Sequence, residues 1–129
     1  SVITRVGSYM PLLNSATGRL YAAYLPDTLI RPLLEQEWQQ APEHRPQNWD
    51  EFLILKAHIK LQGFASVEGE LLAGVNAVCV PVFNQYGEIE FAITALDSSQ
   101  NLPIDPEHDT LKAMLHTAQQ LTQLLSRTA

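Results

Sequence analysis

The 129-residue chain has the composition of an ordinary globular domain, with 46% hydrophobic and 17% charged residues, which excludes disordered and fibrous proteins. Its net charge is -6, and its eight Lys and Arg are scattered, so no basic stripe is available to neutralise nucleic-acid phosphates. Apolar stretches are too short to span a membrane, and no signal-peptide pattern is present. The single cysteine, Cys79, suits a reducing compartment. These features predict one cytoplasmic domain, without membrane contact, that does not itself hold DNA.

The first quarter of the chain predicts a strand and then a helix. Residues 1–7 read as a short strand. Asn14 and Ser15 are both good N-cap residues, and the apolar spacing after them predicts a helix that stops at Pro26. The opening Ser1, followed at once by strand residues, suggests that the sequence begins inside a longer protein.

Two more helices are expected before the middle of the chain. Asp27 is predicted to cap a helix over 28–40, in which Pro32 is acceptable only within the first turn. Residues 41–48 carry two prolines and no period, which indicates a surface loop. From Trp49 a helical spacing resumes, and Gly63 stands where a left-handed C-terminal cap belongs. This third helix is expected to pack on a sheet.

The second half predicts a hairpin and a closing helix. Residues 75–83 and 88–96 are rich in β-branched and aromatic residues, and NQYG between them is turn chemistry. Pro81 places its strand at an edge or a bulge. Asp105 as N-cap and Pro106 at the first position open the last helix. Its predicted apolar face comprises Leu111, Met114, Leu115, Ala118, Leu121 and Leu125. The fold class is therefore α+β, an antiparallel sheet flanked by helices.

Catalytic and metal-binding patterns are weak throughout the sequence. The four histidines do not form an H-x-x-x-H or H-E-x-x-H pair. Cys79 lies in an apolar strand, where an inert buried thiol is the default. Glu68 and Glu70 flank Gly69 in an acidic turn and could meet a ligand, but they lack the opposed placement that acid/base hydrolysis needs. The sequence predicts no catalytic residue, metal or cofactor, and hence no enzyme.

The hairpin suggests a hollow on one face of the sheet. If Phe83 pairs with Glu88, three further pairs follow: Cys79 with Ala92, Ala77 with Thr94, and Val75 with Leu96. Small side chains on this face leave room for either a closely packed helix or a ligand. A three-residue loop with a bulge at Gly87 would instead shift the register by one and turn the face outward.

Three ordered blocks of the sequence follow a known family pattern. The pattern begins P-L-H-A-T-A-x-G-K-A, continues with G-Y-A and an acidic turn, and ends with an apolar strand, P-V-F-D and G. The matching residues are Pro11, Leu12, Ser15, Ala16, Gly18 and Arg19; then Gly63, Phe64, Ala65, Glu70, Gly74 and Val75; then Pro81, Val82, Phe83, Asn84 and Gly87. Over nearly its whole length, the chain therefore resembles the effector-binding domain of IclR-type bacterial transcriptional regulators.

The resemblance implies a GAF-like, profilin-like domain that binds a small organic acid between the first loop-helix and the final hairpin. Carried over residue by residue, the ligand contacts fall at Ala16, Thr17, Val67, Val75, Ala77, Thr94 and Leu96. The predicted hairpin pairing adds Cys79 to the floor of this site. Backbone N–H groups at a helix start suit an anionic group.

Several residues depart from the pattern of small-acid binders in the family. Val67 stands in place of an acidic residue, Ala77 in place of a thiol, and Leu96 in place of a hydroxyl. Leu13 replaces the usual histidine, and Tyr9, Met10 and Tyr21 lie nearby in the sequence. An aromatic acid is therefore favoured over a two- or three-carbon acid.

The resemblance implies a sensor whose effector controls a transcriptional regulator, as repressor or activator. DNA would be bound only through a missing N-terminal winged helix-turn-helix, and family members act as homodimers or homotetramers. A GAF-like sensory module attached to another signalling output, such as a kinase, is the alternative.

Overall fold

The computed structural model describes residues 11–70 and 72–127. The helices are α1 (Ala16–Tyr24), α2 (Asp27–Gln40), α3 (Trp49–Gln62) and α4 (Asp109–Arg127), and the strands are β1 (Ala65–Glu68), β2 (Val75–Phe83) and β3 (Ile89–Ser98). The strands form one antiparallel sheet in the order β1-β2-β3. The predicted α+β class is confirmed. The strand expected over 1–7 lies outside the described residues. None of the helices within the described ranges is long and apolar enough to cross a membrane.

Helix α1 begins and ends where the sequence predicted. Ser15 is the N-cap, and its hydroxyl accepts a hydrogen bond from the Gly18 amide at 3.0 Å. Leu25 is the C-cap, directly before Pro26. A side chain at Gly18 would meet backbone atoms of Leu12, because an added Cβ would lie 2.7 Å from the Leu12 Cα. Glycine here lets the preceding loop fold back onto α1.

Helix α2 departs from the prediction at its start. Pro26 occupies the N-cap position and Asp27 is the first helical residue, so the expectation that Asp27 caps the helix was wrong. Pro32 lies inside the helix, beyond its first turn. It is tolerated because Thr28, whose carbonyl loses its N–H partner, is exposed, so water can supply the missing donor.

Helix α3 has the predicted ends but a different partner. Asn48 caps its start by accepting from the Glu51 amide at 2.9 Å, and Gly63 ends it with φ 86°. The helix packs mainly against α1, and it is α1 that lies on the sheet. The prediction that α3 packs directly on the sheet was therefore wrong, although its Ile59 reaches the core cluster that contains Ala65.

Strand β1 replaces the first part of the predicted acidic turn. Ala65 and Val67 are buried while Glu68 is exposed, so these four residues alternate as a strand does. The turn itself follows β1, with Gly69 and Gly74 at φ 67° and 78°. The strand was not predicted because four residues beside two glycines are too few to show an alternating apolar pattern.

The hairpin register differs from the predicted one by two residues. Ala77 pairs with Leu96, Cys79 with Thr94, and Val75 with Ser98. Phe83 pairs with Ile89, so the turn is one residue longer than expected and shifts the register by one. An irregularity between Val82 and Phe83 shifts the register by a second residue. An even shift keeps every side chain on its face. Thus the predicted partners were wrong, but the predicted face was right.

The two faces of the sheet are covered by different helices. On one face, Ala77 and Cys79 pack against Leu20 and Ala23 of α1. On the other, valines of β2 pack against α4 through Leu111 and Ala118. A third cluster, under α2 and α3, contains Leu13, Ala22, Ile30, Leu34 and Phe52.

Helix α4 starts three residues later than predicted, since Pro106 was expected at its first position. It begins at Asp109, whereas the Asp105 carboxylate accepts from the Glu107 amide at 2.9 Å and so caps a separate turn. Of the predicted apolar face, Leu111 and Ala118 are buried and Leu121 is 38% exposed. The predicted face is therefore buried at Leu111 and Ala118 but not at Leu121.

Candidate functional site

A small pocket lies between the start of α1 and the sheet face that α1 covers. Its volume is about 60 Å³, and its walls come from Asn14, Ser15, Ala16, Thr17, Val67, Leu72, Val75, Ala77, Thr94 and Leu96. Seven of the eight residues predicted from the sequence are in this set, and the exception is Cys79. Cys79 is fully buried, behind Thr94.

Three wall residues were not predicted. Asn14 and Ser15 precede α1, and their capping signal placed them at its start without indicating which way they face. Leu72 comes from the turn after β1, where no periodic pattern shows the direction of a side chain.

The walls are mostly apolar because adjacent strands contribute short or branched side chains. Val67 of β1 is directly opposite Ala77 of β2, and both are buried. The small Ala77 leaves the space that a larger residue would fill. Leu72 and Leu96 stand at the mouth, 52% and 60% exposed. Both leucines can therefore move without disturbing the core.

Two threonine hydroxyls meet across the pocket. The Oγ1 atoms of Thr17 and Thr94 are 2.8 Å apart, which ties the first turn of α1 to β3. The Thr94 hydroxyl donates to the Cys79 Sγ at 3.1 Å. Since a hydroxyl has one proton, Thr17 is the donor to Thr94 when both bonds are made. The two hydroxyls are the polar side-chain groups that reach between α1 and the sheet here.

The Cys79 thiol has the properties of a structural residue. Burial raises its pKa, and the nearby Thr94 and Thr17 hydroxyls oppose that rise only in part. The neutral thiol is therefore favoured, as expected for an inert cysteine rather than a nucleophile.

The start of α1 adds backbone donors to the same wall. The first-turn amides of a helix have no intrahelical partner, and those of Ala16 and Thr17 belong to this turn. Ser15 already satisfies the amide of Gly18. The helix dipole favours negative charge at this end. An anionic group lying here would meet amide and hydroxyl donors together.

Arg19 ties the loop before α1 to the rest of the domain. Its Nε donates to the Leu13 carbonyl at 2.5 Å, and its Nη1 donates to the Ser66 carbonyl of β1 at 3.1 Å. Burial lowers the pKa of Arg19, and the carboxylate of Glu70, 4.0 Å away, counteracts that shift. The loop therefore has a fixed position relative to the sheet.

The described parts of the chain bring together no group of three or more residues of the metal-binding types. His44, one of the histidines considered in the sequence, is bonded through Nδ1 to the Glu37 carboxylate at 2.9 Å.

Comparison with known proteins identifies the domain. Residues 1–123 match the family described as "Bacterial transcriptional regulator IclR C-terminal". The chain belongs to the IclR family. It is an effector-binding domain of that family and not an enzyme, which confirms both predictions.

Individual IclR-type relatives are similar over most of this chain. The DNA-binding transcriptional repressor YiaJ of Escherichia coli (strain K12) is 30% identical over 130 residues, covering 95% of this chain and 45% of YiaJ. The crystal structure of Pseudomonas aeruginosa HmgR superposes with a TM-score of 0.80 and 28% identity, covering 97% of this chain and 49% of that one. The chain thus spans about half the length of these relatives.

A structure that is less similar in sequence contains a ligand. It is the inducer-binding domain of a PobR double mutant from Acinetobacter in complex with 3-hydroxybenzoic acid. Its TM-score is 0.68 at 20% identity, covering 89% of this chain and 67% of that one. At this identity the likeness shows a shared fold.

Proposed function

We propose that the pocket binds a small organic acid, aromatic rather than two- or three-carbon, as the effector of a transcriptional regulator. The observation that carries this proposal is the meeting of two hydroxyls with the first-turn amides of α1 above an apolar wall. A carboxylate would accept from Thr17, Thr94 and the helix amides. The apolar walls of Val67, Ala77 and Leu96 suit a ring better than a second charge.

The pocket is small for an aromatic acid, so binding includes a widening step. A volume of about 60 Å³ is far below the range of roughly 300 Å³ and above that holds a drug-sized ligand. An acid enters when the Thr17–Thr94 hydrogen bond exchanges for bonds to the carboxylate and the exposed Leu72 and Leu96 swing aside. Cys79 then contributes to the floor through Thr94, as a partner of its hydroxyl.

The rest of the regulator follows as part of the same proposal. The chain would be the C-terminal domain of a longer cytoplasmic protein, and an N-terminal winged helix-turn-helix outside this chain would bind DNA. Homodimers or homotetramers would match palindromic operators. A match to regulators over residues 1–123 favours this function over a GAF-like module attached to another output.

A thermal-shift screen with aliphatic acids, benzoate and hydroxybenzoates tests the proposal. A ligand at a hundred times its Kd stabilises the folded state by about 2.7 kcal/mol, so hits are expected among the aromatic acids. Stabilisation by short aliphatic acids alone would overturn the aromatic preference, and a screen with no hit would argue against an acid effector.

A further inference from the structure

A buried carboxylate holds the loop that leads into the pocket. Glu37, on α2, is 1% exposed. Its Oε1 accepts from the Leu12 amide at 2.6 Å, and its Oε2 accepts from the Leu13 amide at 3.0 Å. Burying a carboxylate is costly unless its oxygens are hydrogen-bonded, and here both are. Glu37 is not one of the wall residues of the pocket, so any effect on binding must act through the loop.

His44 completes this arrangement. Its Nδ1 is 2.9 Å from Oε2 of Glu37, and its side chain is 16% exposed. The amide of His44 donates to the Ala41 carbonyl at 3.0 Å, so the ring is presented by the turn that follows α2. Glu37 therefore has three hydrogen-bonding neighbours, and its side chain has little freedom to move.

Few residues separate the two amides that Glu37 anchors from the pocket wall. Leu13 is followed by Asn14, Ser15, Ala16 and Thr17, which are all wall residues. The Leu13 carbonyl is held by Arg19, and Ser15 caps α1. A displacement of the anchored amides must therefore move the Thr17 hydroxyl relative to Thr94.

We infer that Glu37 is a positioning residue for the effector site. Its two oxygens set the loop that places the Thr17 hydroxyl and the α1 amides, so it determines acid affinity without touching the acid. This inference rests on the proposed function. The position needs two acceptor atoms, because two backbone N–H groups point at it. Glutamine has the same shape but one acceptor, so its NH₂ group would face a backbone N–H.

The first test compares Glu37→Gln with Glu35→Gln. Glu35 lies on the same helix, is exposed, and pairs with Arg31 at 3.0 Å, so it is a matched control for charge and side-chain change. Amide NMR spectra of the unliganded chain are expected to shift at Ala16, Thr17 and Thr94 in Glu37→Gln but not in Glu35→Gln. Shifts in Glu37→Gln that are confined to residues touching position 37 would overturn the inference.

The second test uses His44 and separates positioning from general stability. His44→Gln retains a side-chain N–H that can donate to Glu37, whereas His44→Ala does not. We expect the pocket amides of His44→Gln to stay near those of the unsubstituted chain, and those of His44→Ala to move toward the Glu37→Gln spectrum. If His44→Ala lowers Tm without moving these amides, His44 has no part in positioning.

A binding measurement completes the design, with 3-hydroxybenzoate as the probe. Glu37→Gln is expected to bind it roughly tenfold more weakly than Glu35→Gln at a temperature where both variants are folded, since binding must then reorder the loop. Equal affinity would contradict positioning. If the unsubstituted chain does not bind this acid, the choice of an aromatic acid fails while the unliganded spectra still decide the role of Glu37.

Discussion

At the scale of single residues, the polar character of the pocket depends on Thr17 and Thr94. Each hydroxyl is bonded to a neighbour, so an acid that replaces their mutual bond gains the Thr17 donor, and it gains the Thr94 donor as well when that hydroxyl turns away from the Cys79 Sγ. The other wall residues are aliphatic apart from Asn14 and Ser15. Substituting either hydroxyl by a methyl group is therefore a clean way to test how the acid is held.

Thr94→Val is expected to weaken the best acid by roughly 1–3 kcal/mol, because one hydroxyl donor to the carboxylate is lost. The change is nearly isosteric, so the unliganded fold should be little affected. Thr117→Val, exposed on α4, is the matched control. Isothermal titration of both variants measures the difference, and equal affinities would exclude the Thr94 hydroxyl as a ligand partner.

Cys79 gives a prediction for alkaline pH. Its pKa in the folded state is raised above the ordinary value of 9.0 by burial. The folded state therefore holds the thiol proton more tightly, so this contribution to stability is complete below pH 9 and is lost as pH rises through the folded pKa.

Urea unfolding at a series of pH values between 8 and 11 checks this effect, with Cys79→Ala as the comparison. The free energy of unfolding should fall more steeply with rising pH in the unsubstituted chain than in Cys79→Ala. Tyr24, whose pKa is also raised by burial, contributes a similar slope to both proteins. Parallel slopes would contradict a buried, neutral Cys79.

The sequence predicted which hairpin residues share the pocket wall, for a reason that applies to any hairpin. Side chains alternate with a period of two, so Ala77, Thr94 and Leu96 share a face even though the predicted pairing was wrong by two residues. The role of Glu37 could not be predicted from the sequence, because the two amides that donate to it are 24 and 25 residues away along the chain. No local sequence pattern indicates such a contact.

At the scale of secondary-structure elements, helix ends with explicit capping chemistry were predictable and others were not. Ser15 and Gly63 mark the start of α1 and the end of α3. At α4, a good cap and a proline stand at Asp105 and Pro106, but they form a separate turn. The same local chemistry stabilises an isolated turn and a helix start, so tertiary packing of Leu111 decides where the helix begins.

Gly18→Ala tests the close packing of the first loop on α1. An added Cβ would lie 2.7 Å from the Leu12 Cα and 2.8 Å from the Ser15 Oγ, and the backbone cannot yield as a flexible side chain would. The substitution is expected to cost about 1–3 kcal/mol of stability, as overpacking does. Thermal unfolding measures it, and an unchanged Tm would mean that the loop does not fold back over the helix.

At the scale of the whole molecule, the negative net charge argues against DNA binding by this domain itself. The domain carries a net charge of -6, and counterion release from DNA requires clustered Lys and Arg. Large hydrophobic side chains are exposed on three helices, among them Leu29 and Leu33 on α2, Ile54 and Leu61 on α3, and Leu124 on α4. These surfaces are candidates for the contacts between subunits in the proposed oligomer.

We expect the chain to show no tight binding to duplex DNA at moderate salt, whereas the proposed longer regulator binds its operator. Fluorescence anisotropy with both proteins measures this difference. Sequence-selective binding by the domain itself would contradict the proposed division of roles.

The central claim, that an organic acid binds between α1 and the hairpin, is tested most directly by titrating the best acid from the screen into Ala77→Leu. Ala77 is a pocket wall with 5% exposure, so leucine there fills the small cavity. Ala57→Leu, the same change on the exposed face of α3, is the control. We expect calorimetry to detect binding to the control and to the unsubstituted chain but not to Ala77→Leu. Undiminished binding by Ala77→Leu would show that the acid binds elsewhere.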